Sequence, residues 1–99
     1  MNSDQLRQFL TVAQCGNVTR AAAELYISQP ALSISISKLE DEIGKPLFLR
    51  NNRKLVLTAS GEVLLDYAQR ITALISEAER TMTRKDSLSY VPVDRKSVV

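Results

Sequence analysis

Apolar residues recur at helical spacing in four separate stretches of the chain. In the first, Asp4 to Cys15, Leu6, Phe9, Leu10 and Ala13 share a face, with Ser3 or Asp4 available as N-cap and Gly16 as a stop. Gly16-Asn17 is a turn signal. A second helix is predicted over Thr19 to Leu25, capped by Thr19, with Ala21, Ala22 and Leu25 inward. Its three successive alanines leave room for another helix to pass close by. After the short interval Tyr26-Ile27 comes the third stretch, Ser28 to Gly44, where Leu32, Ile36, Leu39 and Ile43 form a stripe for a core. Two helices joined by so short a turn predict a helix-turn-helix.

The third helix has the most informative polar face. Ser28 is a good N-cap, and Pro30 sits in the first turn, where its missing N–H costs little. Gln29, Pro30, Ser33, Ser37 and Lys38 lie opposite the apolar stripe, while Ser35 points away from that side. Glu40, Asp41 and Glu42 are confined to the last turn. A helix dipole prefers the reverse arrangement, with anions at the start and cations at the end. The layout fits a helix whose N-terminal half approaches a polyanion while its acidic end points away.

Gly44 and Lys45-Pro46 stop that helix. Leu47 to Arg50 and Leu55 to Leu57 then flank the polar turn Asn51-Asn52-Arg53-Lys54, which predicts a β-hairpin. Between positions 44 and 58 stand four basic residues, Lys45, Arg50, Arg53 and Lys54, and no acid. An ordinary solvated hairpin is the simpler reading of such a run. Its place directly after the third helix favours a wing lying along phosphates or in a minor groove.

Thr58 can cap a last helix over Ala59 to Arg84, about 37 Å long and more than one small core needs. Leu64, Ala68, Ile71, Ile75, Ala78 and Met82 alternate at four and three, the rhythm of a coiled-coil seam, and predict dimerisation. The competing reading is that the seam only covers this domain's own core. Leu65, Tyr67 and Leu74 are expected near it, against the first helix. Positions 86–99 lack periodicity and read as a flexible tail or the remnant of a truncation.

Composition narrows the function more than the fold. The net charge of +2 argues nothing about nucleic acid by itself, so the distribution of charge carries that case. With no histidine and one cysteine, the chain has no histidine acid–base catalyst, no internal disulfide and no Cys/His zinc set. Cys15 is expected in or beside the core. No apolar run approaches the ~20 residues of a membrane span, and the N-terminus lacks the profile of a signal peptide. A cytoplasmic protein without metal or cofactor is expected.

Several motifs in order resemble one family. They are Leu6-x-x-Phe9, then TRAAAELYISQPALS from Thr19 to Ser33, then Ile36-x-Lys38-Leu39-Glu40-x-Glu42-Ile43-Gly44, Leu47-Phe48-x-Arg50 and Leu57-Thr58-x-x-Gly61. The chain resembles the N-terminal DNA-binding domain of LysR-type transcriptional regulators. The resemblance implies a mainly α fold: a winged helix-turn-helix over 1–58, a linker helix over 59–85 that pairs two subunits, and the tail 86–99. It implies base contacts from Gln29, Pro30 and Ser33, with Ile34 on the same exposed face. It assigns Thr19, Arg20, Ser28, Ser37, Lys38, Arg50 and Lys54 to the DNA backbone, and Arg53 to a minor groove. Where Ile34 and Ser37 stand, many members carry a basic residue. Ile34 cannot donate to a guanine edge but can meet a thymine methyl.

The implied partners are double-stranded DNA, a second copy of the chain and, as a candidate, RNA polymerase. In full-length members an effector domain takes a small inducer; the present sequence shows none. Two other classes compete. A winged-helix protein-interaction module does not explain a wing with four cations and no acid. A small enzyme has no catalytic constellation to offer.

Overall fold

Caps and turn residues set the limits of each element. The structure is a computed structural model that describes residues 1–52 and 54–84. In order it has helices α1 (Ser3–Cys15), α2 (Val18–Leu25) and α3 (Gln29–Ile43), strands β1 (Phe48–Asn51) and β2 (Lys54–Leu57), and helix α4 (Ala59–Thr83). This is the expected winged helix-turn-helix with a long following helix. The expectations for Arg53 and for 86–99 lie outside the described residues.

Two caps differ from expectation. Asn2, rather than Ser3 or Asp4, caps α1: it accepts from the Gln5 N–H at 2.8 Å, and the Gln5 side chain accepts from the Asn2 N–H at 3.1 Å. Asn17, rather than Thr19, caps α2 by accepting from the Arg20 N–H at 3.0 Å, which leaves Thr19 exposed within the first turn. Ser28 caps α3 and Gly44 closes it with φ +83°, as expected. The turn between α2 and α3 closes on Tyr26, at φ +58°, where glycine is the usual occupant. The Ile27 N–H donates to the Ala22 carbonyl at 3.1 Å and holds that turn shut.

The core gathers around α1. Leu6, Phe9 and Val12 pack with Ala21, Ala22, Leu32, Ile36, Leu39, Leu47 and Ala68, all buried. Val12 replaces part of the expected face, since Leu10 and Ala13 are only half-buried. The two buried alanines allow the close helix approach that their small size suggested. Phe9 also meets Phe48, ring centroids 5.3 Å apart, so the wing root joins the core.

The hairpin is tighter than predicted, with Asn51 opposite Lys54 in its antiparallel register. Alternation along the strands sends Phe48, Arg50, Leu55 and Leu57 to one face and Leu49, Asn51, Lys54 and Val56 to the other. Leu55 and Leu57 are half-buried, whereas Leu49 and Val56 are exposed.

Helix α4 presses on the wing root through Gly61, where a Cβ would stand 2.2 Å from the Leu47 carbonyl oxygen. Thr58 fixes the same corner. Its N–H donates to the Leu47 carbonyl at 3.0 Å, its hydroxyl donates to the Pro46 carbonyl at 2.7 Å, and it accepts from the Gly61 N–H at 3.0 Å. The predicted seam needs correction here. Ala68 is wholly buried within its own subunit and Leu64 packs on that same core, so the start of the seam is already used. Ile75 is half-buried, and Ile71, Ala78 and Met82 are exposed. Leu65 packs on the core, whereas Tyr67 and Leu74, expected against α1, are 52% and 63% exposed. With Val63 they extend the apolar arc of α4 sideways from the core.

Candidate nucleic-acid interface

The N-terminal half of α3 projects from the fold because its stripe of Leu32, Ile36 and Leu39 is held in the core. Gln29 and Pro30 are exposed at its tip, and Ser28 is exposed beside them. The Gln29 amide donates to the Ser33 hydroxyl at 2.9 Å, one turn along the same face. Half-buried Ser33 thus orients Gln29 rather than standing free. Ser35 points away from that side, as expected, and donates to Gln8 of α1.

The exposed surface of α3 divides into two flanks. Ser33 and Ser37 look toward the hairpin and share a cleft of about 240 Å³ with Arg50, beside Val18 at the start of α2. Thr19 and Arg20 are exposed in the following positions of that helix. Ile34 and Lys38 lie on the other flank, in a cleft with Asn2, Asp4, Gln5 and Gln8 of α1. Ile34 is 57% exposed there. Arg50 is exposed on the hairpin face directed at α3, and Lys54 is exposed on the opposite face. The fold therefore brings together Ser33, Ser37 and Arg50, and sets Ile34 and Lys38 apart from them.

Two of the three acids at the end of α3, Glu40 and Glu42, are engaged within the fold, while Asp41 is exposed. A Glu40 carboxylate oxygen accepts from the Leu47 N–H at 2.7 Å and the Phe48 N–H at 3.4 Å. Glu42 pairs with the Met1 amine at 2.6 Å. Sequence reasoning missed Glu40 and Asn17. The Asn17 cap could have been found from its spacing to Arg20; the Glu40 contact spans a loop and left no local signal.

Cys15 is half-buried and donates to Glu24 at 3.4 Å. Burial raises its pKa, the Glu24 hydrogen bond and charge raise it further, and Arg20 partly opposes them. The thiolate is the nucleophile. Alkylation of Cys15 in the folded chain should therefore lag behind a free thiol at neutral pH. Its rate should keep rising at pH values where the free thiol has levelled off. Equal pH profiles for the folded and urea-unfolded chain would contradict this.

Among the described residues, no group of three or more His, Cys, Asp or Glu side chains could hold a metal ion, and no helix is long and apolar enough to cross a membrane. A three-helix head with a hairpin wing and an exposed third helix defines the winged helix-turn-helix class. Residues 3–62 match the family described as bacterial regulatory helix-turn-helix protein, lysR family, and the chain belongs to it. It is 45% identical over 83 residues to the uncharacterised HTH-type transcriptional regulator YusT of Bacillus subtilis, covering 84% of this chain and 28% of that protein. The chain spans about a quarter of the length of the curated relatives it matches. The fold matches the DNA-binding domain of BenM in its complex with catB site 1 DNA at a TM-score of 0.84 and 31% identity, covering 91% of this chain and 100% of that one. It matches the DNA-binding domain of CbnR, also bound to DNA, at 0.77 and 36% identity, covering 85% and 100%.

Proposed function

We propose that this chain is the DNA-reading part of a dimeric LysR-type transcriptional regulator. Residues 1–58 read duplex DNA and 59–85 pair two subunits, which places two recognition helices on an inverted repeat. The observation that carries this reading is the convergence of Gln29, Ser33, Ser37 and Arg50 on one side of the molecule, with Glu40 and Glu42 held in contacts of the fold itself. Gln29, Pro30, Ser33 and Ile34 meet base edges in the major groove. Thr19, Arg20, Ser28, Ser37, Lys38, Arg50 and Lys54 meet phosphates, and Arg53 enters a minor groove. The seam on α4 is Val63, Tyr67, Ile71, Leu74, Ala78 and Met82, the exposed row beside the core face.

The regulator performs no catalysis and needs no cofactor of its own. It acts in the cytoplasm, with RNA polymerase as its downstream partner, and any inducer acts through a further domain.

Selection from a pool of random duplexes at two salt concentrations tests this. A two-fold symmetric motif should emerge, with half-sites one or more helical turns apart and affinity falling as salt rises. Gln29→Ala should then lose about 1–3 kcal/mol of discrimination at one base pair of each half-site. Lys54→Ala should weaken all sequences alike. No motif and no binding at low salt would leave the protein-interaction reading instead.

A further inference from the structure

The recognition helix and the wing are joined through one carboxylate. Glu40 stands in the last turn of α3, half-buried, on the flank that faces the hairpin. It lines the same cleft as Ser33, Ser37 and Arg50. One of its oxygens accepts from two adjacent backbone N–H groups, Leu47 at 2.7 Å and Phe48 at 3.4 Å. Phe48 is the first residue of β1, and the Leu47 carbonyl is tied in turn to Thr58 just past the end of β2. Both ends of the wing are thus referred to a single side chain of α3.

An acid on the flank of a surface that approaches phosphate repels its ligand. Its presence there needs an offsetting use, and charge-assisted hydrogen bonds to paired N–H groups supply one that a neutral side chain meets less well.

We propose that Glu40 is a positioning residue for DNA binding: it fixes the wing root against α3, so that Arg50 and Lys54 reach the backbone when Gln29 and Ser33 reach the bases. The proposal rests on the DNA-binding reading above. It assigns Glu40 no contact with DNA.

The test is a mutant cycle in this chain, measured on the selected duplex well below the melting temperature of every variant. Glu40→Ala should weaken binding about tenfold, within the range of coupling between contacting groups. Lys54→Ala, costly in the parent, should cost almost nothing in the Glu40→Ala background. The base-pair discrimination lost in Gln29→Ala should be lost equally in both backgrounds. Glu40→Gln keeps an acceptor oxygen and should restore part of the coupling; it also carries the comparison if the alanine variant fails to fold. Equal costs of Lys54→Ala in both backgrounds would overturn the role of Glu40. So would Glu40→Ala eroding the Gln29-dependent discrimination, which marks general support of the fold. A parent chain that binds no duplex would overturn the DNA reading itself, an outcome distinct from a binding parent with additive variants.

Discussion

Gly61→Ala is expected to lower the thermal midpoint of the chain, against the preference of helices for alanine. In an exposed helix interior that exchange gains about 1 kcal/mol. Here the added Cβ would stand 2.2 Å from the Leu47 carbonyl oxygen and 2.8 Å from a Leu57 methyl. The methyl can rotate away. The carbonyl cannot, because it belongs to backbone and accepts from the Thr58 N–H at 3.0 Å. Either α4 lifts from the wing root or that hydrogen bond stretches. Overpacking of this kind costs about 1–3 kcal/mol, and collision with backbone puts it at the upper end. The net loss should be about 2 kcal/mol after the helix gain. For a domain of this size, the midpoint should fall by on the order of 10 °C. Calorimetry or a circular dichroism melt checks it. A rise would mean that α4 does not press on Leu47, and the account of the corner joining α3, wing and α4 would fail. Because that corner sets how α4 leaves the DNA-reading head, the folded fraction of the variant should also bind a fixed inverted repeat less well than a single half-site predicts.

That corner also shows where sequence reasoning stops. Gly61 stands in the matched pattern Leu57-Thr58-x-x-Gly61, yet nothing local says which atom excludes its side chain; the reason lies 14 positions back, at Leu47. Glu40 is similar, since its partners follow a turn whose path no periodicity specifies. By contrast, α3 was legible at both ends. Ser28, Pro30 and Gly44 each suit one position of a helix terminus, and its apolar stripe admits a single inward face. The caps of α1 and α2 were harder because each start offers two or three competent residues: Asn2, Ser3 and Asp4, or Asn17 and Thr19. Which one caps is decided by the offset to the buried residues, and Leu6 and Ala21 favour the earlier asparagine in both cases. On α4 apolar residues stand at 59, 63, 64, 65, 67, 68, 71, 73, 74, 75, 78 and 82, so more than one four-three path can be drawn. Only the packing of Ala68 against the core selects among them. At the candidate interface, the exposure of Ser28, Gln29 and Pro30 at the tip of α3 was legible from the apolar stripe on its other side. The division of that interface into a wing-side flank and an Ile34–Lys38 flank was not.

The consequence for assembly is the larger of the two effects. Leu74→Glu should convert a dimeric chain to a monomer without unfolding it. Leu74 is 63% exposed and outside the subunit core, so a carboxylate there remains in water when the chain is alone. In a pair of α4 helices the same carboxylate would enter the centre of the exposed row, between Tyr67 and Ile71 on one side and Ala78 and Met82 on the other. Burying an unpaired charge in that seam is costly enough to abolish pairing. Two linked recognition helices bind an inverted repeat more tightly than either alone by about 10²–10⁴, without any new contact. Loss of pairing should remove a factor of that size on the full repeat and leave half-site binding unchanged. Sedimentation equilibrium reads the mass, and titrations on whole and half sites read the affinity. Ser76→Glu is the control, since it adds the same charge at an exposed position away from this row. A Leu74→Glu chain that stays dimeric would displace the seam from Val63, Tyr67 and Leu74. Pairing would then have to use the other exposed sides of α4, where charged residues predominate from Glu77 onward and the basis for a stable dimer is weaker.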